Sequence, residues 1–187
     1  MKSTAQFASL AKGMVISASL LAGAIGVPSS LIAGGPTTSI QTEYLMTLHA
    51  QLNPPQAVDQ SLLVVNVPAG GWVEGPRIKG KILGPAGDWL RVMPSGIMRL
   101  DVRETIQTDD GELIYTSYNG VIQCGKDQMD KLNAGEELKA GDCHFITAPT
   151  FETKSEKYGW LNAVQAVGKM ISLKGGDHIT YDIFAAK

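Results

Sequence analysis

The sequence is poor in the residues that build metal centres and nucleic-acid surfaces. Its 187 residues contain two cysteines and three histidines, His49, His144 and His178. They show no metal-ligand spacing, so no metal site is expected. The net charge is −2 and basic residues form no cluster, which argues against nucleic-acid binding through phosphate contacts. A P-loop, a dinucleotide-binding glycine pattern, an HExxH helix and a GxSxG elbow are all missing, and no cofactor is expected. Aromatic residues make up only 6% of the chain. What remains is a composition with 44% hydrophobic and 18% charged residues, suited to a single folded core.

Acidic residues are also missing from the first 35 positions, which carry Lys2 and Lys12. The run GMVISASLLAGAIGVP follows Lys12 and falls short of the roughly 20 apolar residues that a spanning helix needs. A basic start, a short apolar middle and small residues near Ala24 or Ser29 are the marks of an export signal. Residues 1–35 are therefore expected to be a signal or a disordered extension, with residues 36–187 as one domain. Cleavage would leave a periplasmic or secreted protein with no stable membrane span. The alternatives are an uncleaved anchor or an over-extended gene start, and without cleavage the chain would be cytoplasmic. In an oxidising compartment Cys124 and Cys143 would pair, closing a loop worth roughly 3 kcal/mol in the chain-entropy model. The alternative is two free thiols tucked into a core.

From Thr42 onward the hydrophobic period is mostly two, the period of half-buried strands. TEYLMTLHAQL places Tyr44, Met46 and Leu48 on one face. SLLVVNVP and WVEGPRIKGKIL follow, the second interrupted at Gly75-Pro76. Gly84 to Gly87 read as a turn into DWLRVMP. The clearest hairpin flanks Thr108-Asp109-Asp110-Gly111, where Asp-Gly favours a tight turn, and this explains the paired acids structurally. In KDQMDKLNAGEEL, Met129 and Leu132 stand three apart and Gly135 sits in a C-terminal stop position, which predicts one short helix. CHFITAPTFET is a strand with Pro149 at an edge or bend, and a second hairpin turns at Gly175-Gly176. Eight or nine strands, one short helix and hairpin-length connections point to an all-β, antiparallel closed barrel.

The segments GPRIKG, GDWLR, RLDVR, TDDGELIY and FITAPTFET…YGWLN together resemble the domain of unknown function numbered 3237, also called uncharacterised protein family 0311. The resemblance runs from about Glu43 to the C-terminus. It implies a compact barrel like the ligand-holding calycins and brings no established activity. Its recurrent positions match Gly75, Pro76, Gly87, Asp88, Trp89, Asp101, Asp110, Gly111, Tyr115, Tyr158, Trp160, Leu161 and Asn162. One departure is Ala86-Gly87 where a double glycine is usual.

The row Arg99, Asp101, Arg103 alternates with Leu100, Val102 and faces either solvent or lumen. Composition favours solvent, because an inward row of charges is costly unless paired; the resemblance, which keeps an acid at Asp101, tilts the balance to the lumen. On the lumen reading, Trp89, Tyr118 and Trp160 form flat walls and Asn162 donates a hydrogen bond. Tyr115, of opposite parity to Tyr118, then falls to the core. The expected function is binding of a small, partly aromatic or amphipathic molecule. The alternative is an isomerase, lyase or cyclase with Asp101 as general acid/base and Arg103 stabilising an oxyanion. A third is an envelope module with a filled core. Oligomeric state is left open.

Overall fold

A computed structural model describes residues 38–187; the expectation for residues 1–35 lies outside the described residues. The strands are β1 (Thr42–Gln51), β2 (Gln56–Ala57), β3 (Leu62–Val67), β4 (Trp72–Glu74), β5 (Lys79–Val92), β6 (Met98–Thr108) and β7 (Leu113–Gln123). They continue as β8 (Leu138–Lys139), β9 (His144–Glu152), β10 (Ala166–Lys174) and β11 (His178–Ala186). Helix α1 spans Lys126–Asn133, and a 3-10 turn covers Gly159–Ala163.

The strands form a closed eight-stranded antiparallel barrel. Going round the wall, β1 pairs with β11, then come β10, β9, β7, β6 and β5. β5 is long enough to carry two partners end to end on one edge. Its first part pairs with β4 over Lys79–Lys81 and its second with β3 over Ala86–Arg91. β4 then closes the cylinder onto β1 through three residue pairs.

Gly84 to Gly87, expected to turn the chain, instead lie inside β5. The pairing with β6 shifts register between Leu83 and Gly87, so the segment is a bulge that bends one continuous strand. Tyr44 also departs from expectation. A register shift between Tyr44 and Met46 puts Tyr44 outside, 40% exposed, while Met46 and Leu48 point in. The Asp-Gly hairpin forms as read, with Gly111 at φ 90°, a conformation that favours glycine. Asp110 does more than turn the chain. Its carboxylate accepts from Thr108 Oγ1 (2.5 Å), Lys157 Nζ (2.5 Å) and Tyr158 Oη (3.0 Å), pinning the hairpin to the 155–158 connector. The β9–β10 ladder ends at Thr147, before Pro149, which has no N–H to offer it.

Inside the barrel the two ends differ. Towards the start of β1, Met46, Ile82, Ile106, Ile114, Leu161 and Ile183 are 0–2% exposed. Each such side chain contributes about 1.5–3 kcal/mol by leaving water. The other end, towards the end of β1, is hollow.

Candidate lumen site

The inward residues of β6 are Met98, Leu100, Val102, Glu104, Ile106 and Thr108, all buried. Parity therefore sends Arg99, Asp101 and Arg103 to the outer face, correcting the lean towards the lumen. Apolar neighbours are buried at less cost than three charges. Outside, Arg103 Nη1 meets Asp101 Oδ1 at 2.9 Å, with both side chains about half exposed. Trp89 is outside too, 43% exposed. The expected site thus loses Asp101, Arg103 and Trp89 from the cavity.

Trp160 and Asn162 sit at the opposite end of the barrel. Trp160, half-buried in the 3-10 turn, lies under the Arg77 guanidinium at 3.7 Å. Asn162 is spent on one backbone partner: Thr153 N–H donates to its Oδ1 (2.8 Å), and its Nδ2 donates to the Thr153 carbonyl (2.9 Å). Tyr118 alone of these residues lines the cavity. Tyr115, expected in the core, is half-buried on the outer face opposite Thr105.

The cavity has a volume of about 130 Å³, comparable to the roughly 150 Å³ engineered cavity that takes benzene. Its wall is aliphatic and aromatic, and among the described residues no Lys, Arg or His lines it. The polar exceptions are Asn53, Asp88, Tyr118 and Tyr181. Tyr181 meets Tyr118 and Phe145 edge-on, at centroid distances of 6.1 and 5.5 Å.

Asp88 is 9% exposed, and its Oδ1 accepts the Asp101 backbone N–H at 2.9 Å. Burial raises its pKa to about 6; the hydrogen bond opposes that rise and the Asp101 charge adds to it. Glu104 follows Val102 on the inward face of β6, between the cavity wall and the packed end marked by Ile106. It is 2% exposed, neither carboxyl oxygen has a hydrogen-bond partner among the described residues, and burial raises its pKa to about 8. Burial, then the negative charges of Glu104 and Asp88, push Tyr118 and Tyr181 well above the usual phenol range. At neutral pH the arrangement is a mostly ionised Asp88, a mostly protonated Glu104 and two neutral tyrosine hydroxyls.

Asp88, Glu104 and Tyr181 are absent from the sequence-based site, yet a signal for the acids exists. Asp88 shares parity with Leu90 and Val92, and Glu104 with Val102 and Ile106. An acid on the apolar face of a strand is the mark of a buried charge. Tyr181 has no such mark.

The mouth is framed by α1, through Leu132, and by the β10–β11 hairpin, through Gly175 and Gly176. Cys124, also on the cavity wall, is disulfide-bonded to Cys143 with Cα atoms 4.6 Å apart. Among the described residues, no group of three or more His, Cys, Asp or Glu side chains is placed to hold a metal.

A family model described as a protein of unknown function, domain of unknown function 3237, matches residues 40–186. The chain belongs to this family. A relative from Rhodopseudomonas palustris, named as uncharacterised family 0311, is 27% identical over 150 residues, covering 79% of this chain and 97% of its own length. A crystal structure described as a beta-barrel like protein from Acinetobacter baumannii is 30% identical, covers 82% of this chain and 99% of that one, and has a TM-score of 0.66. A third relative, 26% identical over 151 residues, is named as a hydroalkoxylation enzyme of Penicillium herquei; the match covers 79% of this chain and 86% of that one. Family members thus share the barrel, and one distant relative carries the name of an enzyme.

Proposed function

We propose that the lumen binds a small neutral molecule with a flat, largely apolar body, and that Asp88 moves a proton on it. The observation that carries this reading is a carboxylate with a pKa near neutrality, about 6, on the wall of an apolar cavity. A cavity without a cation disfavours anionic ligands. Asp88, mostly ionised at neutral pH, is poised to take a proton from a hydroxyl or an activated C–H and return it elsewhere on the same molecule. Tyr118 and Tyr181, held neutral, supply O–H donors to an oxygen that gains negative charge. They take the part that the sequence reading gave to Arg103.

The reaction class is isomerisation, or addition and elimination across a double bond. The Penicillium relative's name supports it, because hydroalkoxylation adds O–H across C=C. One proton leaves the hydroxyl, one is delivered to carbon, and no electrons are exchanged.

The test uses 2-allylphenol, a neutral phenol with an alkene within reach. Binding is followed by NMR, and cyclisation in D₂O by deuterium incorporation at carbon. Binding with turnover that vanishes in Asp88→Asn, while affinity persists, is the expected result. Binding without turnover in the wild type would favour the simpler reading, a barrel that sequesters its ligand. If neither occurs with this phenol, the lumen reading fails.

A further inference from the structure

The outer face of β5 and β6 carries an arrangement that the lumen does not use. Three of the chain's four arginines, Arg91, Arg99 and Arg103, meet there around Trp89, although lysines outnumber arginines in the sequence. With Leu62, Asn119 and one acid, Asp101, they frame an open groove of about 470 Å³. Arg91 and Arg99 are direct cross-strand partners, a placement in which like charges repel.

The acids nearby offset that repulsion only in part. Asp101 is paired with Arg103 at 2.9 Å. Asp59, which feels the Arg91 charge, is held by the Ser61 and Leu62 amides at 2.6 and 2.7 Å. Arg91 Nη1 reaches only the Ser61 hydroxyl, at 3.5 Å. Arg99 has no side-chain hydrogen bond or ion pair among the described residues. Arginine is the residue that grips a carboxylate or phosphate through two parallel N–H donors. Trp89, 43% exposed and with the Arg103 guanidinium 5.8 Å from its ring centroid, offers a flat surface beside that grip.

We propose that this groove is a second ligand site, separate from the lumen, for a small aromatic oxyanion. Its ring lies on Trp89 and its phosphate or carboxylate bridges Arg91 and Arg99. The bound anion relieves the repulsion between the two guanidiniums, so affinity draws on strain already present in the free wall.

The experiment follows the Trp89 indole N–H signal of the whole protein by NMR during titration with phenyl phosphate. A saturable shift is expected, with inorganic phosphate competing more weakly and benzyl alcohol giving no response. In Arg91→Gln/Arg99→Gln the affinity falls about tenfold or more, as loss of a charge-assisted contact requires. Both arginines are exposed, so a cooperative melting curve at or above the wild-type temperature, as relief of their repulsion requires, confirms that the variant is folded, and the single Arg99→Gln gives an intermediate loss. No shift at Trp89 would overturn the proposal, as would an equal shift in the double variant or a response abolished at about 0.15 M salt. Binding of an acidic peptide that phenyl phosphate does not displace would assign the face to a protein partner and overturn it as well.

Discussion

The backbone N–H of Asp101 donates to Asp88 Oδ1 at 2.9 Å, so two acids on opposite faces of the barrel wall share one hydrogen bond. The side chain of Asp101 points out to Arg103, while its amide holds the inner carboxylate in place. Asp101 thereby serves the lumen through its backbone and the outer face through its side chain.

That bond separates two substitutions at Asp88. Asparagine keeps the acceptor and removes the buried charge, so Asp88→Asn raises the melting temperature at pH 7. Alanine leaves the Asp101 amide without its partner, and Asp88→Ala is less stable than Asp88→Asn by about 1–3 kcal/mol. Urea titration of both variants checks the order.

Glu104 sets a pH dependence. The fold raises its pKa from 4.5 to about 8, so the native chain holds a proton that the unfolded chain releases in that window. The unfolded state binds fewer protons there, and stability falls as pH rises from 4.5 to about 8, by up to about 1.4 kcal/mol per pH unit. Asp88 adds a slope of the same sign between 3.8 and about 6. Glu104→Gln flattens the upper part of the curve and stabilises the protein at pH 8. Denaturation midpoints across this range decide it; an unchanged slope in the variant would show that another group titrates.

The disulfide closes a loop with a sequence separation of 19 that contains α1 and β8. Replacing both cysteines, Cys124→Ser with Cys143→Ser, should cost about 3 kcal/mol in the chain-entropy model. Because Cys124 and Leu132 both face the cavity, the same variant should bind 2-allylphenol more weakly. Chemical denaturation and the NMR titration measure the two effects separately.

Gly75 allows β4 and the turn after it to approach β1. A Cβ there would lie 2.1 Å from the Leu45 carbonyl oxygen and 2.8 Å from the Met46 Cα, both backbone atoms that cannot swing aside. Gly75→Ala should therefore destabilise by about 3 kcal/mol or more, read as a fall in melting temperature.

Much of the barrel was legible because alternation, Asp-Gly and the short helix act locally. Sequence pattern identified β6 as two-faced but did not say which face was inward. Charge burial decides that question, and it decides for Leu100 and Val102. Tyr44 was misplaced because a bulge inverts parity without any residue that announces it. The connector after β9 carries Trp160 and Asn162 to the far end of the barrel, a distance that no local pattern encodes. Asp88 and Glu104 were readable as acids on apolar faces. The conspicuous charges of Arg99, Asp101 and Arg103 stand on the opposite parity and mask them.

One feature of the wall bears on how any ligand gets in. β1 is joined to β4 by only the three pairs from Thr47 to His49, and no ladder pairs β1 with β3. Beyond β4 the two sides meet, among the described residues, through a single backbone hydrogen bond, Asn53 N–H to the Asn66 carbonyl at 2.9 Å. Ala50, Leu52, Val65 and Val67, which flank this line, all face the cavity. Backbone amides along it should exchange with solvent sooner than those of the fully laddered β6–β7 side. On the lumen-binding reading proposed above, guest exchange follows the parting of this seam in the staves rather than any movement of the disulfide-tied segment beside the mouth.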